Sequence, residues 1–377
     1  MKTSRHLPVQ TRRDAWVEVD LGAIEENTKK IMAQTAGKAV MAIVKADAYG
    51  HGAVMVTPTL EASGVSMLGV ASIDEAIQIR EAGLEIPILV IGAIPDWAIQ
   101  PAAEHDIALT IFDRHHLHSL RRAFEQVSVP VKTHIKVDTG MHRIGVPWQE
   151  AVVFVSECKT LPHLQLEGIF SHLASPDDPT FTQVQLDRWE TVLGHIEKAG
   201  GLPPLVHIAN SAGTLLHTAA RGNMVRLGIG VFGYGDVTKL GLQPAMGLKA
   251  RILRLEEVPS ESGISYGHTF TTPPGKPTVI ATLPVGYADG IPRALSNKID
   301  GILNGQRIKQ VGTITMDQLM FDVSNVSEAR LGDAITLVGS EGDECITLTD
   351  WAVRAGTIEY ELMCALRVRL PKTYTRA

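Results

Sequence analysis

Cysteine is scarce. There are three in 377 residues, Cys158, Cys345 and Cys364, widely spaced and not in C-x-x-C form. An odd, scattered set excludes a disulfide framework and a thiolate zinc site, and suits a reducing compartment. A basic excess is also lacking: the formal net charge is -6, so there is no electrostatic footprint for nucleic acid or anionic membrane. Long apolar runs are missing too, the longest lying around Pro87 to Ile94, far short of a membrane span. The opening residues, MKTSRHLPVQTRRD, are polar and basic with no apolar stretch behind them, unlike a secretory signal. No low-complexity linker and no internal repeat beyond a strand–helix alternation is visible. The chain reads as cytoplasmic, and its length suggests two domains.

What is present is that alternation. After a strand-like piece from Ala15 to Leu21, short buried-type runs lie near 39–44, 67–72, 88–93, 107–112, 132–137, 165–171, 205–208 and 223–227. Helix-period segments sit between them, among them Asp74 to Glu81, Arg114 to Phe124, Gln149 to Cys158 and Gln183 to Lys198. Strand, helix, strand, repeated, means parallel strands with right-handed crossovers. Eight such units in about 200 residues fit a closed (β/α)8 barrel of the TIM type better than an open doubly wound sheet. From about Leu242 the texture changes to short strands and turns: Lys249 to Val258, Ser262 to Thr271, Pro277 to Val285, Gly301 to Gln310 and Met320 to Val323. Asn304-Gly305 is a hairpin turn, and one helix opens at Thr349 or Asp350. The expected organisation is a barrel domain over 1–243 and a mostly β domain over 244–377, with the first strand, about 15–21, a candidate to pair with the second domain.

A barrel of this kind carries its chemistry where strands end. The first barrel strand ends at Lys45, followed by Asp47, Tyr49 and Gly50-His51-Gly52 in what reads as a loop. A lysine closing an apolar run is a poor core residue. By itself the segment favours an edge-of-strand side chain reaching water, but the place also suits a reactive amine, since partial desolvation favours the neutral nucleophile. Later strands end in Lys136-Val-Asp138-Thr-Gly-Met-His142-Arg143, in Ser171-His172, in Asn210-Ser211-Ala-Gly213 and in Arg226-Leu227-Gly228-Ile229-Gly230. The last two loops suit a phosphate: Asn210 and Ser211 supply side-chain groups at a helix start, and Gly228 with Ile229 permits close backbone approach. An amine on one side and a phosphate site on another point to pyridoxal phosphate, held as a Schiff base on Lys45. The string Gly228-x-Gly230-x-x-Gly233 matches a dinucleotide fingerprint, but no amphipathic helix follows it. Arg114-His115-His116-Leu117-His118 lacks a carboxylate at ligand spacing and reads as a solvated helix face, not a metal site.

Taken together, AIVKADAYGHG, KVDTGMHRIG, EGIFSHLA, ANSAG, RLGIG, GISYGHTF, PVGYADG, TMDQ and TIEYEL resemble the alanine racemase family of fold-type III pyridoxal-phosphate enzymes. The likeness runs from about residue 15 to 370 with order and spacing kept. The resemblance implies that Lys45 carries the cofactor and that Tyr49, Ser211, Gly228, Ile229 and Tyr360 hold its phosphate. It sets Arg226 against the pyridine nitrogen with His172 beside it, and Arg143 near the substrate carboxylate. Lys136 matches a lysine often carbamylated in the family. Tyr266 resembles the second acid/base, donated with Tyr287, Met316 and Asp317 by the other subunit of a head-to-tail homodimer. The implied reaction interconverts L- and D-alanine by a two-base route and supplies D-alanine for peptidoglycan.

Three positions depart from the family pattern. His142 stands where a small residue is usual, Leu227 where Pro is usual, and Thr315 where Cys is frequent. They leave serine, or a broader set of small amino acids, as an alternative substrate. A barrel-only cofactor carrier would lack the second domain, and an NAD enzyme would have to use the glycine string.

Overall fold

The computed structural model describes residues 13–124, 130–235, 240–366 and 369–376. Most of the polar amino-terminal stretch lies outside them. The chain divides into two compact units, one formed by Gly22–Gln243 and the other by residues up to Leu21 together with Pro244 onward.

The first unit is a nearly closed parallel barrel. Its strands are β2 (Ala39–Ile43), β3 (Met67–Val70), β4 (Ile88–Val90), β5 (Ala108–Ile111), β6 (Val131–Asp138), β7 (Leu164–Phe170), β8 (Leu205–His207) and β9 (Met224–Leu227). They pair in the order β9-β2-β3-β4-β5-β6-β7-β8. The seam between β8 and β9 is bridged by Asn223 N–H donating to the Val206 carbonyl at 3.1 Å and Arg226 N–H to that of Ala209 at 3.0 Å. Strands β3 to β5 are buried at every position, as parallel strands covered on both faces should be. Inside the barrel, Gly168 makes room for a histidine: a Cβ there would lie 2.3 Å from His134 Nδ1.

Helices cover the strands. The longest runs Pro179–Lys198, four residues earlier than periodicity alone suggests. Its start is set by Asp178, whose Oδ1 accepts from the N–H groups of Thr180 and Phe181, with Pro179 at the first helical position. The expected loop after β2 is instead a single left-handed helical turn, Lys45–Tyr49, which no hydrophobic period could reveal.

The second unit is built on one sheet containing β1 (Ala15–Asp20). It also includes β10 (Met246–Arg251), β11 (Arg254–Val258), β12 (Thr278–Leu283), β13 (Asp300–Leu303), β14 (Gln306–Val311), β15 (Leu319–Asp322), β16 (Ala334–Glu341) and β17 (Lys372–Thr375). Strand β1 pairs antiparallel with β10 and parallel with β17. The hairpin β13–β14 turns at Asn304-Gly305, with Leu303 opposite Gln306. Two expectations need correction. The stretch 262–271 is not one strand; Gly263–Ile264 pairs with Phe270–Thr271 around a tight turn at Tyr266–His268. A second helix, Glu359–Ala365, follows the expected one at Leu348–Ala355, and it is too short for its periodicity to stand out.

Candidate active site

Lys45 opens the most unusual backbone in the barrel unit. Ala46, Asp47, Ala48 and Tyr49 all have φ between 52° and 56°. For L residues the left-handed helix costs roughly 1–2 kcal/mol each, so the turn needs outside support. Asp47 Oδ1 accepts from Ala53 N–H at 2.8 Å, and the Ala46 N–H donates to Glu75 Oε1 at 2.7 Å. Lys45 and Tyr49 are the first and last residues of this turn.

Tyr49 is buried against Phe232, ring centroids 5.5 Å apart. A Cβ at residue 228 would sit 2.9 Å from Tyr49 Oη, so glycine there leaves the phenol its place. Gly228 N–H donates to Ser211 Oγ at 2.9 Å. Asn210 caps the short helix that Ser211 begins, its Oδ1 accepting from Gly213 N–H at 2.9 Å. Ile229 begins a 3-10 turn to Phe232, so its N–H must find a partner outside that turn. Two hydroxyls and the Ile229 N–H thus gather around Gly228, a donor set suited to a phosphate. The glycine string ends in that turn and not in a helix of dinucleotide type.

Beneath lies Arg226, 3% exposed. Its Nη1 donates to His207 Nδ1 at 2.9 Å, and its Nη2 to His172 Nδ1 at 3.0 Å and to the carbonyls of Ser171 and Ile208 at 2.8 and 2.9 Å. A guanidinium only donates, so both Nδ1 atoms are acceptors and both rings are neutral with their proton on Nε2. His207 Nε2 is then the donor toward His134 Nδ1, 3.1 Å away. Burial, then the charge of Arg226, pushes the His172 pKa down to about 2 and that of His134 to about 3; the same causes hold His207 well below the ordinary value. Burial and then Arg143 lower Arg226 to about 9, leaving it cationic at neutral pH. Its Nε–H has no partner among the described residues.

Lys136 is 4% exposed, its Nζ 4.6 Å from the Phe170 ring centroid. Burial, then Arg226 and then Arg143 hold its pKa well below the usual lysine value, which favours the neutral amine. The loop from Lys136 to Arg143 is pinned by Asp138, whose Oδ1 accepts from the N–H groups of Gly140 and His142 and whose Oδ2 lies 3.1 Å from His142 Nδ1. His142 has φ 55°, a left-handed conformation that the two Asp138 contacts help to hold.

In the β unit, Tyr266, Tyr287, Met316 and Asp317 line one cavity of about 540 Å³, together with Arg293 and Thr315. Tyr287 and Ala288 N–H groups donate to the carbonyls of Thr315 and Met316, each at 3.0 Å, zipping two loops together. Tyr266 is 72% exposed, on a turn held by Ser265 Oγ donating to the Thr313 carbonyl and Thr313 Oγ1 donating to that of Tyr266, both at 2.7 Å. Asp317 accepts from Arg369 at 2.7 Å. Tyr360 lies on Glu359–Ala365, its phenol pKa raised by burial and then by Glu359.

Sequence reasoning missed Glu75, His134 and His207. His134 and Lys136 share a face of β6, which was the available signal; Glu75 closes a Ser72-x-x-Glu75 capping pattern, whose carboxylate instead reaches Ala71 and Ala46. Of the histidine-rich helix, His115 contacts Asp96 and His116 contacts Asp113; among the described residues no group of three or more His, Cys, Asp or Glu could hold a metal.

The fold and this constellation define a class: a (β/α)8 barrel followed by a mostly β domain, with a lysine, a phosphate-type cradle and a buried arginine at the strand ends. Residues 19–236 match the family profile for the alanine racemase N-terminal domain and residues 245–374 that for its C-terminal domain, so the chain belongs to the alanine racemase family. It is 41% identical to the alanine racemase of Nostoc sp. over 369 residues, 95% of each chain. Among solved structures it is similar to alanine racemase from Bacillus anthracis with bound L-Ala-P, at TM-score 0.90 and 36% identity, over 97% of this chain and 96% of that one. It is also similar to a histidine racemase from Leuconostoc mesenteroides, at TM-score 0.88 and 27% identity, over 98% and 99%.

Proposed function

We propose that this enzyme racemises L- and D-alanine with pyridoxal phosphate attached to Lys45, in the cytoplasm, and so supplies D-alanine for peptidoglycan. The observation that carries the reading is Arg226: every bond it makes is a donation, and its remaining Nε–H suits an unprotonated pyridine nitrogen. Tyr49, Ser211, Gly228 and Ile229 would hold the phosphate, with Asn210 fixing Ser211 and Tyr360 a further phenol donor. When bound, the cofactor supplies an electron sink for the pair left on Cα when its proton departs.

The side chains divide the rest of the work. Lys45 takes or returns the Cα proton on one face, and Tyr266 does so on the other. Arg143 binds the substrate carboxylate. His172, neutral and anchored through Nδ1, presents Nε2–H as a donor and passes on the field of Arg226. The buried Lys136 amine, its pKa held down, is suited to add CO2 with release of a proton, and the resulting anion would hold Arg143.

Tyr266 at 72% exposure and Met316 at 53% form an unusually open site wall. We infer that a second copy of the chain covers it, with Tyr266, Tyr287, Met316 and Asp317 completing the partner's site in a homodimer. The cofactor domain then comprises residues 22–243, and the dimer-completing domain residues 244–377 together with β1. Among the described residues no helix is long and apolar enough to cross a membrane.

A second reading, serine or broader amino-acid racemisation by the same route, is favoured by His142 beside Arg143 and by the similarity to a histidine racemase. Purified protein mixed with pyridoxal phosphate and L-alanine in deuterated water should lose optical activity while gaining deuterium at Cα. Comparing kcat/KM for L-alanine and L-serine separates the readings; optical activity retained with both substrates rejects them together.

A further inference from the structure

The left-handed turn after Lys45 begins as any helix does, with N–H groups that have no partner inside it. Bonds tie the turn to its flanks, Ala48 N–H to the Val44 carbonyl at 2.7 Å and Gly50 N–H to that of Ala46 at 3.0 Å, and the Ala46 N–H, at the start of the turn, lies outside its ladder. It is taken by Glu75 Oε1 at 2.7 Å, from a helix 29 positions away in sequence. Glu75 Oε2 accepts at 2.7 Å from Ala71 N–H, at the end of the neighbouring strand β3. One carboxylate therefore caps the turn that follows Lys45 and ties it to the next strand end. Both bonds are charge-assisted and short, the strong kind. None of the four consecutive positive-φ residues that this cap serves, Ala46, Asp47, Ala48 and Tyr49, has the conformational freedom of glycine.

We propose that Glu75 is a positioning residue for Lys45. It does not touch the reacting atoms. By capping a strained left-handed turn, it fixes the backbone between the amine at 45 and the phenol at 49, the turn's first and last residues, preorganised for the aldehyde and phosphate of one ligand. This rests on the assignment of Lys45 as the attachment point, made above. Without the carboxylate, the turn relaxes toward right-handed or extended backbone, and Lys45 meets the cofactor only in the minor population that retains the left-handed form.

The test follows the growth of the visible absorbance band when pyridoxal phosphate is added to cofactor-free protein, with borohydride reduction and peptide mapping to identify the modified lysine. Glu75→Gln keeps the shape but can accept only one of the two bonds and turns a donor toward the other N–H. We expect it to slow attachment about tenfold, in line with losing one bond to a charged group. Ser72→Ala removes the cap of the same helix, where Ser72 Oγ accepts from Glu75 N–H at 3.4 Å, without touching Ala46. It should lower thermal stability yet leave the attachment rate as in the parent. Ala46→Gly in the Glu75→Gln background should restore the rate, because glycine enters the left-handed region freely. If Glu75→Gln does not fold, Glu75→Asp, a carboxylate one methylene too short to reach both N–H groups, should show a smaller slowing. An unchanged rate in the Glu75 variant, equal slowing by Ser72→Ala, or no rescue by Ala46→Gly overturns the proposal. A parent protein whose reduced adduct maps to a lysine other than Lys45 overturns the site assignment itself, a distinct failure visible before any variant is compared.

Discussion

Arg226 Nη2 and His172 Nδ1 are 3.0 Å apart, and only one arrangement of protons satisfies that contact. Arginine cannot accept, so the histidine must, and its proton is forced to Nε2 on the far side of the ring. A buried cation thereby fixes the tautomer of its neighbour and keeps it uncharged, at a pKa pushed down to about 2 by burial and then by Arg226. The same logic applied to His207 sends its proton toward His134.

Replacing Arg226 by glutamate inverts this pattern. The carboxylate would accept where the guanidinium donated, freeing both histidine tautomers and favouring a proton on the cofactor's ring nitrogen. Racemisation of alanine should fall by about a hundredfold or more, the scale for removing a preorganised charge. Formation of the 2-oxo acid should rise relative to racemisation. Chiral chromatography and an oxo-acid assay on the same reaction give the partition; an unchanged partition would deny Arg226 its role at the ring nitrogen.

The barrel strands were legible because parallel strands buried on both faces are continuous apolar runs, and Val40–Val44 or Ile88–Val90 can be little else. Lys45 and Arg226 were legible because a charge ending such a run needs a reason. The left-handed turn at 46–49 was not, since its alanines carry no signal of a conformation imposed by Glu75 and Asp47 from other parts of the chain. Nor was the His134–His207 pair: each histidine is unremarked in its own strand, and only β6 and β8 coming together across β7 joins them.

Those buried histidines set a pH dependence. His134, His172 and His207 are neutral in the fold, with pKa values of about 3, about 2 and well below the ordinary value. The unfolded chain takes protons on them near pH 6.5. Below that pH the unfolded state binds more protons, so stability is full above it and falls as the pH drops. The slope reaches roughly 1.4 kcal/mol per pH unit for each ring only well below pH 6.5, so between about pH 7.5 and pH 5.5 each ring contributes about 1.4 kcal/mol in all and the three together about 4 kcal/mol. Denaturant midpoints at the two pH values measure this, and His134→Leu should remove about a third of the change. A midpoint that is flat over this range would mean that the rings are charged in the fold.

Lys136, buried with its pKa held down, is open to a chemical test. In ¹³C-bicarbonate the parent should show a carbamate carbon resonance that vanishes in Lys136→Arg, whose guanidinium does not add CO2. Activity in Lys136→Arg should fall mainly through KM for alanine, because Arg143 would lose the anion that holds it. A resonance surviving the substitution would place the carbamate on another amine, and an unaffected KM would separate Lys136 from carboxylate binding.

Tyr266→Phe should leave the visible absorbance of bound cofactor as it is and lower kcat/KM by about 10²–10⁴-fold, the range for losing a general acid/base. The loss should be one-sided. In deuterated water one enantiomer should still exchange its Cα proton, through Lys45, while exchange from the other is abolished. Equal loss from both directions would argue against two bases on opposite faces.

The strongest check on a shared site combines the two bases. If Lys45 of one copy works opposite Tyr266 of another, then Lys45→Ala and Tyr266→Phe homodimers are each inactive in both of their sites. Unfolding and refolding them together lets subunits exchange. Half the dimers formed at random are hybrids, and each hybrid carries one site with both substitutions and one with neither. Activity should therefore recover to about a quarter of the parent value in an equimolar mixture and vary with the mixing ratio as the product of the two subunit fractions. Were the two residues to serve the same copy, every site in the mixture would still lack one base, and no mixing ratio would restore turnover.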